Sequence, residues 1–208
     1  MNFFSYKVEH DYGLAPNPFG KYCTLAVCKP SIRKNKNLSI GDWVIGTGTR
    51  NLNRINHLIY AMRVSERLTF NEYWRDIRFS YKKPNVNGSL VQIFGDNFYH
   101  KNENSVWTQE ISAHSFVDKE KHTQTDTSGE NVLISEEFYY LGRKSRLIPV
   151  GLREICNKGR DMKYKGISEE LGLEFISWVK SNFDIGINAD PINWIDFENE
   201  MNQLTLFD

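Results

Sequence analysis

Ile40-Gly41-Asp42-Trp43-Val44-Ile45-Gly46-Thr47-Gly48-Thr49-Arg50 is the stretch that decides the fold, and Leu58-Ile59-Tyr60-Ala61-Met62-Arg63-Val64 follows it. The Gly-Asp pair makes a tight turn, and the apolar run after it predicts a strand over 42–47. The Gly-x-Gly turn ends that strand, and a second strand of bulky residues is expected at 58–65. Such a hairpin is typical of small β-barrels that hold a nucleobase, because glycine lets the backbone come close to a ligand.

The composition limits the classes of ligand. The 208 residues suffice for one well-buried core and a small appendage. The 26 basic and 26 acidic side chains balance, which argues against a protein that grips long nucleic acid mainly through its phosphates. A pocket for one nucleotide or one extruded base fits that balance. The aromatic fraction of 13% supplies side chains first for a core and then for base stacking.

The expected compartment is the cytoplasm. Three cysteines are a low, odd number, which favours a reducing environment over a disulfide framework. No apolar run approaches the roughly 18 residues that a membrane span needs, and the first residues lack the pattern of a signal peptide. We therefore expect no membrane contact and no cofactor, and the sequence leaves the oligomeric state open.

Beyond the hairpin, the sequence predicts further short strands and two helices. Thr69-Phe70-Asn71-Glu72 is a capping-box signature, so a short helix is expected over 70–76. Ser168 is a helix cap followed by two glutamates, and the apolar residues after it repeat at helical spacing. Residues 101–130 are polar and weakly periodic, which is typical of one or two loops or a lid. The remaining strands are expected at 22–28, 90–94, 132–134 and 138–140.

The densest cluster of polar and aromatic residues is Gly95-Asp96-Asn97-Phe98-Tyr99-His100. Asp96 and Asn97 carry donor and acceptor edges of the kind that read the Watson–Crick face of a base. Tyr99 is a candidate for stacking on that base, and His100 is a candidate acid or base. The plainer interpretation is a capped turn, because Gly-Asp-Asn is also turn chemistry.

The segment Gly46-Thr47-Gly48 is a candidate contact for sugar or phosphate, because it follows a strand as phosphate-binding loops do. No clear helix begins after it, so it is neither a Walker loop nor a dinucleotide fingerprint, and a plain hairpin turn is the alternative. Arg50 and Arg63 are candidates to neutralise a phosphate, which arginine can do bidentately. Trp43 is a second candidate for stacking, although most aromatic residues of the chain are expected in the core.

Other types of chemistry find less support. Cys23 and Cys28 are five positions apart on a predicted strand, so their side chains are expected on opposite faces and cannot form a metal pair there. No Gly-x-Ser-x-Gly elbow is present for a serine hydrolase. No known ligand spacing relates the histidines and aspartates of the middle of the chain, so we expect no metal. These residues are His100, His114, His122, Asp96, Asp118 and Asp126.

Several short blocks, in matching order, resemble one family. They are Asp11-Tyr12-Gly13-Leu14-Ala15-Pro16-Asn17-Pro18-Phe19-Gly20, Tyr22-Cys23-Thr24-Leu25-Ala26, Cys28-Lys29-Pro30, Gly41-Asp42-Trp43-Val44-Ile45-Gly46-Thr47-Gly48, Tyr60-Ala61-Met62-Arg63-Val64, Glu72-Tyr73-Trp74, Gly95-Asp96-Asn97, Tyr99-His100 and Val132-Leu133-Ile134-Ser135. Over about residues 4–150 the chain resembles the nucleotide-modification-associated domains, most closely the second type. The resemblance implies a bacterial or phage protein linked to DNA modification or antiviral defence, and it carries no catalytic residues over.

A looser likeness rests on the glycine-rich hairpin and the short helix after it. It is to barrels of the PUA, EVE, ASCH and YTH kind, which hold a flipped or modified base in a cleft with an aromatic wall. The expected fold is therefore α+β, with a small mixed or mainly antiparallel barrel-like sheet, peripheral helices and a C-terminal helix. We interpret residues 1–150 as the main domain and residues 151–208 as a helical C-terminal extension packed on it.

Three hypotheses for function follow. The first is a binding module that recognises a modified nucleobase or a nucleotide, free or within DNA. The second is an enzyme that acts on such a ligand with His100 and Asp96 as its acid–base pair. The third is an interaction subunit of a defence complex that docks through the C-terminal helix. The ligand-binding candidates of the first hypothesis, expected together in one open cleft, are Asn17, Trp43, Gly46, Thr47, Gly48, Arg50, Arg63, Asp96, Asn97 and Tyr99.

Overall fold

Three β-sheets and several short helices make up the fold. The computed structural model describes residues 1–114, 119–195 and 197. The strands are β1 (Phe3–Val8), β2 (Cys23–Leu25), β3 (Trp43–Gly48), β4 (His57–Arg63), β5 (Glu66–Thr69), β6 (Tyr99–Lys101), β7 (Trp107–Gln109), β8 (Asn131–Ser135), β9 (Glu137–Tyr140), β10 (Arg146–Leu147), β11 (Met162–Lys163) and β12 (Gly186–Ile187). The α-helices are α1 (Pro30–Arg33), α2 (Phe70–Arg75), α3 (Leu90–Ile93), α4 (Lys119–Thr127) and α5 (Glu169–Asn182), and 3₁₀ helices cover Ile77–Lys82, Gly142–Lys144 and Val150–Ile155.

The predicted glycine-rich hairpin is confirmed and forms the centre of the largest sheet. Strands β3 and β4 pair antiparallel, from Trp43 opposite Arg63 to Gly46 opposite Tyr60. The sheet runs in the order β11-β1-β3-β4-β9-β12, and β10 also pairs with β4. Because β1 lies parallel to β3 while β3 and β4 are antiparallel, the sheet is mixed.

The α+β class is confirmed, but the described residues contain no closed barrel. Strands β2, β8 and β5 form a separate three-stranded sheet, and β6 pairs with β7 alone. The chain changes sheet between Ser135 and Glu137, because β8 joins the small sheet and β9 joins the large one. The large sheet therefore ends in two edge strands, β11 and β12, that lie at opposite sides of it.

Each face of the large sheet carries its own part of the core. Neighbouring residues of a strand point to opposite faces, so Phe4 of β1 packs towards the small sheet whereas Phe3 packs beneath α5. A Cβ at Gly172 would lie 2.1 Å from the ring of Phe3, so glycine lets α5 approach the sheet closely. Beyond residue 150 the chain thus supplies α5, β11 and β12 to the same sheet and core.

The local predictions have mixed outcomes. The capping box of Thr69 and Glu72 is confirmed, and so is the cap of α5 by Ser168. The strand predicted at 90–94 is wrong: these residues form α3, and Gln92 accepts a hydrogen bond from the backbone N–H of Ser89 at its start. The polar region 101–130 contains β7 and α4. No described helix combines the length and the apolarity that crossing a bilayer requires.

Candidate functional site

One cavity, which we call the main cleft, has a volume of about 650 Å³. That volume lies in the range of small-molecule sites, roughly 300–1,000 Å³. Its walls are β1 with the loop that follows it, and the turn between β2 and α1. Its lining combines apolar and aromatic residues with charged and polar ones. The lining residues are Tyr6, Lys7, Val8, Glu9, His10, Tyr12, Leu14, Ala15, Cys28, Lys29, Pro30, Ser31, His114 and Asp161.

Two consecutive left-handed residues form one wall of the main cleft. Cys28 and Lys29 have φ angles of 58° and 40°, which residues with a Cβ rarely adopt. This turn explains why the strand predicted over 22–28 ends early, as β2, at Leu25. Strained backbone of this kind persists only where its surroundings hold it in place, and it is common at binding and catalytic sites.

Arg33 holds the strained turn from below. Its side chain is 0% exposed, and it donates hydrogen bonds to the backbone carbonyls of Cys28 (2.9 Å), Asn131 (2.9 Å) and Asp126 (2.5 Å). Burial lowers the pKa of Arg33 to about 10, so the guanidinium stays charged at neutral pH. A Cβ at Gly129 would lie 2.4 Å from that guanidinium, so the glycine makes room for it. A buried charge with these partners fixes the turn in one conformation.

Asp126 links the turn to a histidine in the same cleft. One carboxylate oxygen, Oδ1, accepts a 2.7 Å hydrogen bond from the backbone N–H of Cys28. The other, Oδ2, lies 3.3 Å from Nε2 of His114. Burial raises the pKa of the Cys28 thiol to about 12, so the group is a thiol and not a thiolate at neutral pH. Cys28 and His114 thus line the main cleft, and the buried carboxylate of Asp126 contacts both of them from the interior.

A second cavity, the side cleft, adjoins the main cleft and has a volume of about 410 Å³. Lys7 and Glu9 line both. Thr47, Gly48 and Arg50, three of the residues predicted to contact sugar or phosphate, lie in its wall. The full set is Lys7, Glu9, Thr47, Gly48, Thr49, Arg50, Asn51, Ile55, Asn56, Cys156, Asn157 and Lys158.

Gly46, by contrast, lies beneath packed side chains. A Cβ at this position would lie 2.2 Å from the ring of Tyr60 and 2.9 Å from the side chain of Val8. Trp43 is also buried, and its ring stacks on Tyr139 on the face that α5 covers. Arg63 is exposed and pairs with Glu137 at 3.4 Å. These three candidates line neither cleft.

Asp96 and Asn97 lie in a closed polar network. They are 1% and 0% exposed. Asp96 accepts hydrogen bonds from Thr24 Oγ1 (2.6 Å) and Tyr73 Oη (2.7 Å), and burial raises its pKa. The Asn97 amide donates to the carbonyls of Tyr73 (3.1 Å) and Phe79 (3.2 Å). Asn97 Oδ1 is also buried and has no partner among the described residues, and neither Asp96 nor Asn97 lines the main or the side cleft.

Asn17 and Tyr99 are buried as well. Asn17 accepts a 2.6 Å hydrogen bond from Lys82 and donates one of 3.0 Å to the carbonyl of Phe94. The hydroxyl of Tyr99 donates to Asp126 at 3.2 Å, so this tyrosine supports the carboxylate beside the main cleft without lining it.

His100 lies apart from Asp96, its predicted acid–base partner. Its ring stacks on Trp74 with centroids 4.3 Å apart, and its Nε2 lies 2.8 Å from Glu110 Oε1. The ammonium group of Lys83 also lies over the ring of Trp74, 3.7 Å from the ring centroid. Both residues line a shallow depression. The predicted cluster 95–100 is therefore divided between the interior and the surface.

The residues that line the main cleft are not predicted from the sequence. Cys28 and His114 enter there only as residues for which no metal is expected. Lys7, Tyr12 and Lys29 were not singled out. The left-handed turn at Cys28 leaves no clear signature in the sequence, and the partners of Asp126 are distant along the chain. Among the described residues no three His, Cys, Asp or Glu side chains converge on a possible metal position, and the candidate Asp118 lies outside those residues.

Comparison with known proteins adds the family. Nucleotide modification associated domain 2 matches residues 1–198. The match extends well beyond the 4–150 of the sequence resemblance and covers α5 and the last strands of the large sheet. None of the curated proteins and none of the solved structures matched the chain significantly. The chain belongs to the nucleotide modification associated domain 2 family.

Proposed function

We propose that the chain is a nucleotide-binding module whose main cleft holds the base and sugar of a nucleotide, natural or modified. The single observation that carries the proposal is the main cleft itself, a cavity of about 650 Å³ lined by both aromatic and polar residues. Membership of a family associated with nucleotide modification supports a nucleotide as the class of ligand. The proposed context is DNA modification, which the family description supports, or antiviral defence, which the sequence resemblance implies.

The aromatic residues of the main cleft suit a flat heterocycle. The rings of His10 and Tyr12 are nearly parallel, with centroids 6.1 Å apart, and Tyr12 stacks on Phe94 at 5.2 Å. A ring that is itself supported by stacked neighbours is a rigid platform for a base. Stacking of one base on one aromatic side chain is worth about 1–3 kcal/mol, so polar contacts are also needed.

The polar residues of the main cleft supply such polar contacts. Ser31 donates a 2.5 Å hydrogen bond to Asp161, so its hydroxyl oxygen is held in a fixed position. Lys29 lies over the ring of Tyr6 at 5.1 Å. These groups differ in charge and in donor or acceptor character, and such a mixture distinguishes one base edge from another.

The test compares two tryptophan substitutions. Ser31→Trp fills the main cleft, whereas Ser181→Trp adds the same side chain on the exposed surface of α5. Binding of the natural nucleosides and nucleoside 5′-monophosphates is measured by calorimetry, and native mass spectrometry of the purified protein identifies any retained modified nucleotide. We expect at least one of these ligands to bind, Ser31→Trp to abolish binding, and Ser181→Trp to leave it unchanged. Equal binding to both variants would overturn the proposal.

A second candidate function is catalysis in the main cleft, and the observation that favours it is the contact of Asp126 with both Cys28 and His114. In this mechanism the Cys28 thiol gives its proton to His114 as its sulfur adds to an electrophilic ring carbon of the base. The ring double bond at that carbon breaks, its electron pair moves to the neighbouring ring atom, and that atom takes the proton from His114. Asp126 orients the imidazole. Its support over the His100–Asp96 pair is that Cys28 and His114 line one cavity.

Mass spectrometry of acid-quenched protein separates catalysis from binding. A nucleophilic cysteine leaves a protein–nucleotide adduct or a changed nucleotide, and both disappear in Cys28→Ser. A nucleotide that binds and is recovered unchanged, with no adduct, contradicts catalysis and leaves the binding function intact.

A further inference from the structure

The side cleft has an excess of positive charge. Lys7, Arg50 and Lys158 line it against one carboxylate, that of Glu9. In the described ranges 1–114, 119–195 and 197, none of these three cations forms a salt bridge. Most of the other lining residues are uncharged and polar. A cavity of this composition attracts an anion.

Two buried polar atoms in its wall lack partners. Thr49 and Asn157 are each 6% exposed. Thr49 Oγ1 and Asn157 Nδ2 have no hydrogen-bond partner among the described residues. The rest of the Asn157 side chain is well fixed, because its Oδ1 accepts a 2.9 Å hydrogen bond from the backbone N–H of Gly159. A buried donor without a partner is costly, so a ligand oxygen that reached a donor of these lining residues would relieve that cost.

A carboxylate marks the junction of the two clefts. Glu9 lines both, as does Lys7, and its Oε2 accepts a 3.0 Å hydrogen bond from Asn51. In a nucleotide that spans the clefts, the sugar lies at this junction. A carboxylate accepts hydrogen bonds from free sugar hydroxyls, but it repels a second phosphate attached there.

We infer that the side cleft is a phosphate subsite, and that the ligand is a free nucleoside 5′-phosphate with an unsubstituted 3′-oxygen. This inference rests on the proposed function for the position of the base. Lys7, Arg50 and Lys158 neutralise the phosphate, and Thr49 and Asn157 donate hydrogen bonds to its oxygens. A nucleotide within a DNA strand carries a further phosphate at the junction, so it is excluded.

The first experiment measures the phosphate contribution. Inorganic phosphate is titrated into ¹⁵N-labelled protein, and the affinities of each deoxynucleoside and its 5′-monophosphate are compared. We expect phosphate to shift the amide signals of residues 47–50 and 157–158, and the 5′-monophosphate to bind at least about tenfold more tightly than its nucleoside.

Two variants and a control sharpen the result. Asn157→Asp keeps the acceptor for Gly159 but replaces the free donor by a negative charge, and Arg50→Gln removes one cation. Each is expected to weaken binding of the 5′-monophosphate by roughly tenfold or more and to leave nucleoside binding unchanged. Arg75→Gln, an exposed change on α2, is expected to alter neither.

The second experiment tests Glu9 with deoxynucleoside 3′,5′-bisphosphates. We expect them to bind more weakly than the 5′-monophosphates, and Glu9→Gln to reduce the difference. Nucleoside and monophosphate binding equally, with no amide shift from inorganic phosphate, would overturn the subsite and leave nucleotide binding standing. Amide shifts from phosphate without binding of any nucleoside would support the anion site alone and contradict the function proposed for the main cleft.

Discussion

The hydroxyl of Tyr140 donates a 2.5 Å hydrogen bond to Oδ1 of Asp11, which precedes it by 129 residues. Asp11 is buried, and its Oδ2 accepts a 3.1 Å hydrogen bond from the backbone N–H of Ile192. One carboxylate therefore ties the loop that walls the main cleft both to the large sheet and to the segment after β12. Burial raises the pKa of this carboxyl.

Asp11→Asn tests this connection. An amide has the shape of the carboxylate, but its NH₂ group would face either the hydroxyl of Tyr140 or the backbone N–H of Ile192, which are both donors. One buried donor would therefore lose its acceptor. We expect the free energy of unfolding in urea to fall by about 1–3 kcal/mol. Asp190→Asn, an exposed change in the same segment, is the control. Equal stability of the two variants would show that Asp11 does not anchor the loop.

Gly46→Ala tests whether this glycine serves packing. The added Cβ would lie 2.2 Å from the ring of Tyr60, so the interior must shift, at a cost of about 1–3 kcal/mol. At Gly151 nothing lies within 4 Å of an added Cβ, and we expect Gly151→Ala to change stability by less than about 0.5 kcal/mol. Thermal unfolding measures both. A stable Gly46→Ala protein that fails to bind nucleotide would instead favour a ligand contact.

Asn97→Ala distinguishes structural support from base recognition. It removes the hydrogen-bond donors to the carbonyls of Tyr73 and Phe79, both in the interior. We expect a loss of about 2–4 kcal/mol of stability for the two unsatisfied groups. His100→Ala removes the half-buried stacking contact with Trp74 and is expected to cost about 1 kcal/mol or less. Unchanged stability of Asn97→Ala together with lost affinity would restore its predicted role in reading the base.

The stability of the chain should depend on the titration of Lys82. Burial lowers its pKa from 10.5 to about 8 in the folded protein. Between pH 8 and pH 10.5 the unfolded chain binds more protons than the folded one, so the free energy of unfolding rises with pH. Below pH 8 the lysine is charged in both states, and the cost of burying its charge is present in full. The full change is on the order of 3 kcal/mol.

Lys82→Met removes the titrating group. We expect the difference in unfolding free energy, wild type minus Lys82→Met, to increase between pH 8 and pH 10.5. The same difference taken with the exposed variant Lys165→Met should stay flat. Parallel curves for wild type and Lys82→Met would contradict a lowered pKa at this position.

Local signals in the sequence predicted much of the fold. The hairpin of β3 and β4 and the caps at Thr69 and Ser168 depend on residues close in sequence, and all three are confirmed. Residues 90–94 form an apolar run, which is typical of a strand, but Ser89 and Gln92 form a capping box that starts a helix there. The expected barrel is wrong for the described strands, because one hairpin does not determine which sheet edges meet.

The site was harder to predict because a polar side chain can either support the interior or line a cavity, and its type alone does not decide which. Asp96 and Asn97 have the chemistry to read a base. The Asp96 carboxylate, however, accepts hydrogen bonds from Thr24 and Tyr73, which are distant in sequence. Arg50, by contrast, was predicted at a phosphate contact and lies in the side cleft. The main cleft combines segments near residues 6–15, 28–31, 114 and 161, and no local pattern connects them.

The pairing of Ser5 in β1 with Lys163 in β11 has a consequence for synthesis. Until Met162 and Lys163 have left the ribosome, Ser5 and Tyr6 form an open row on the edge of the first strand, whose backbone groups bind only water. An open row of this kind recruits other chains, so nascent copies are most prone to aggregate in that interval. Slower translation of the last quarter of the message would lengthen it and lower the yield of folded protein.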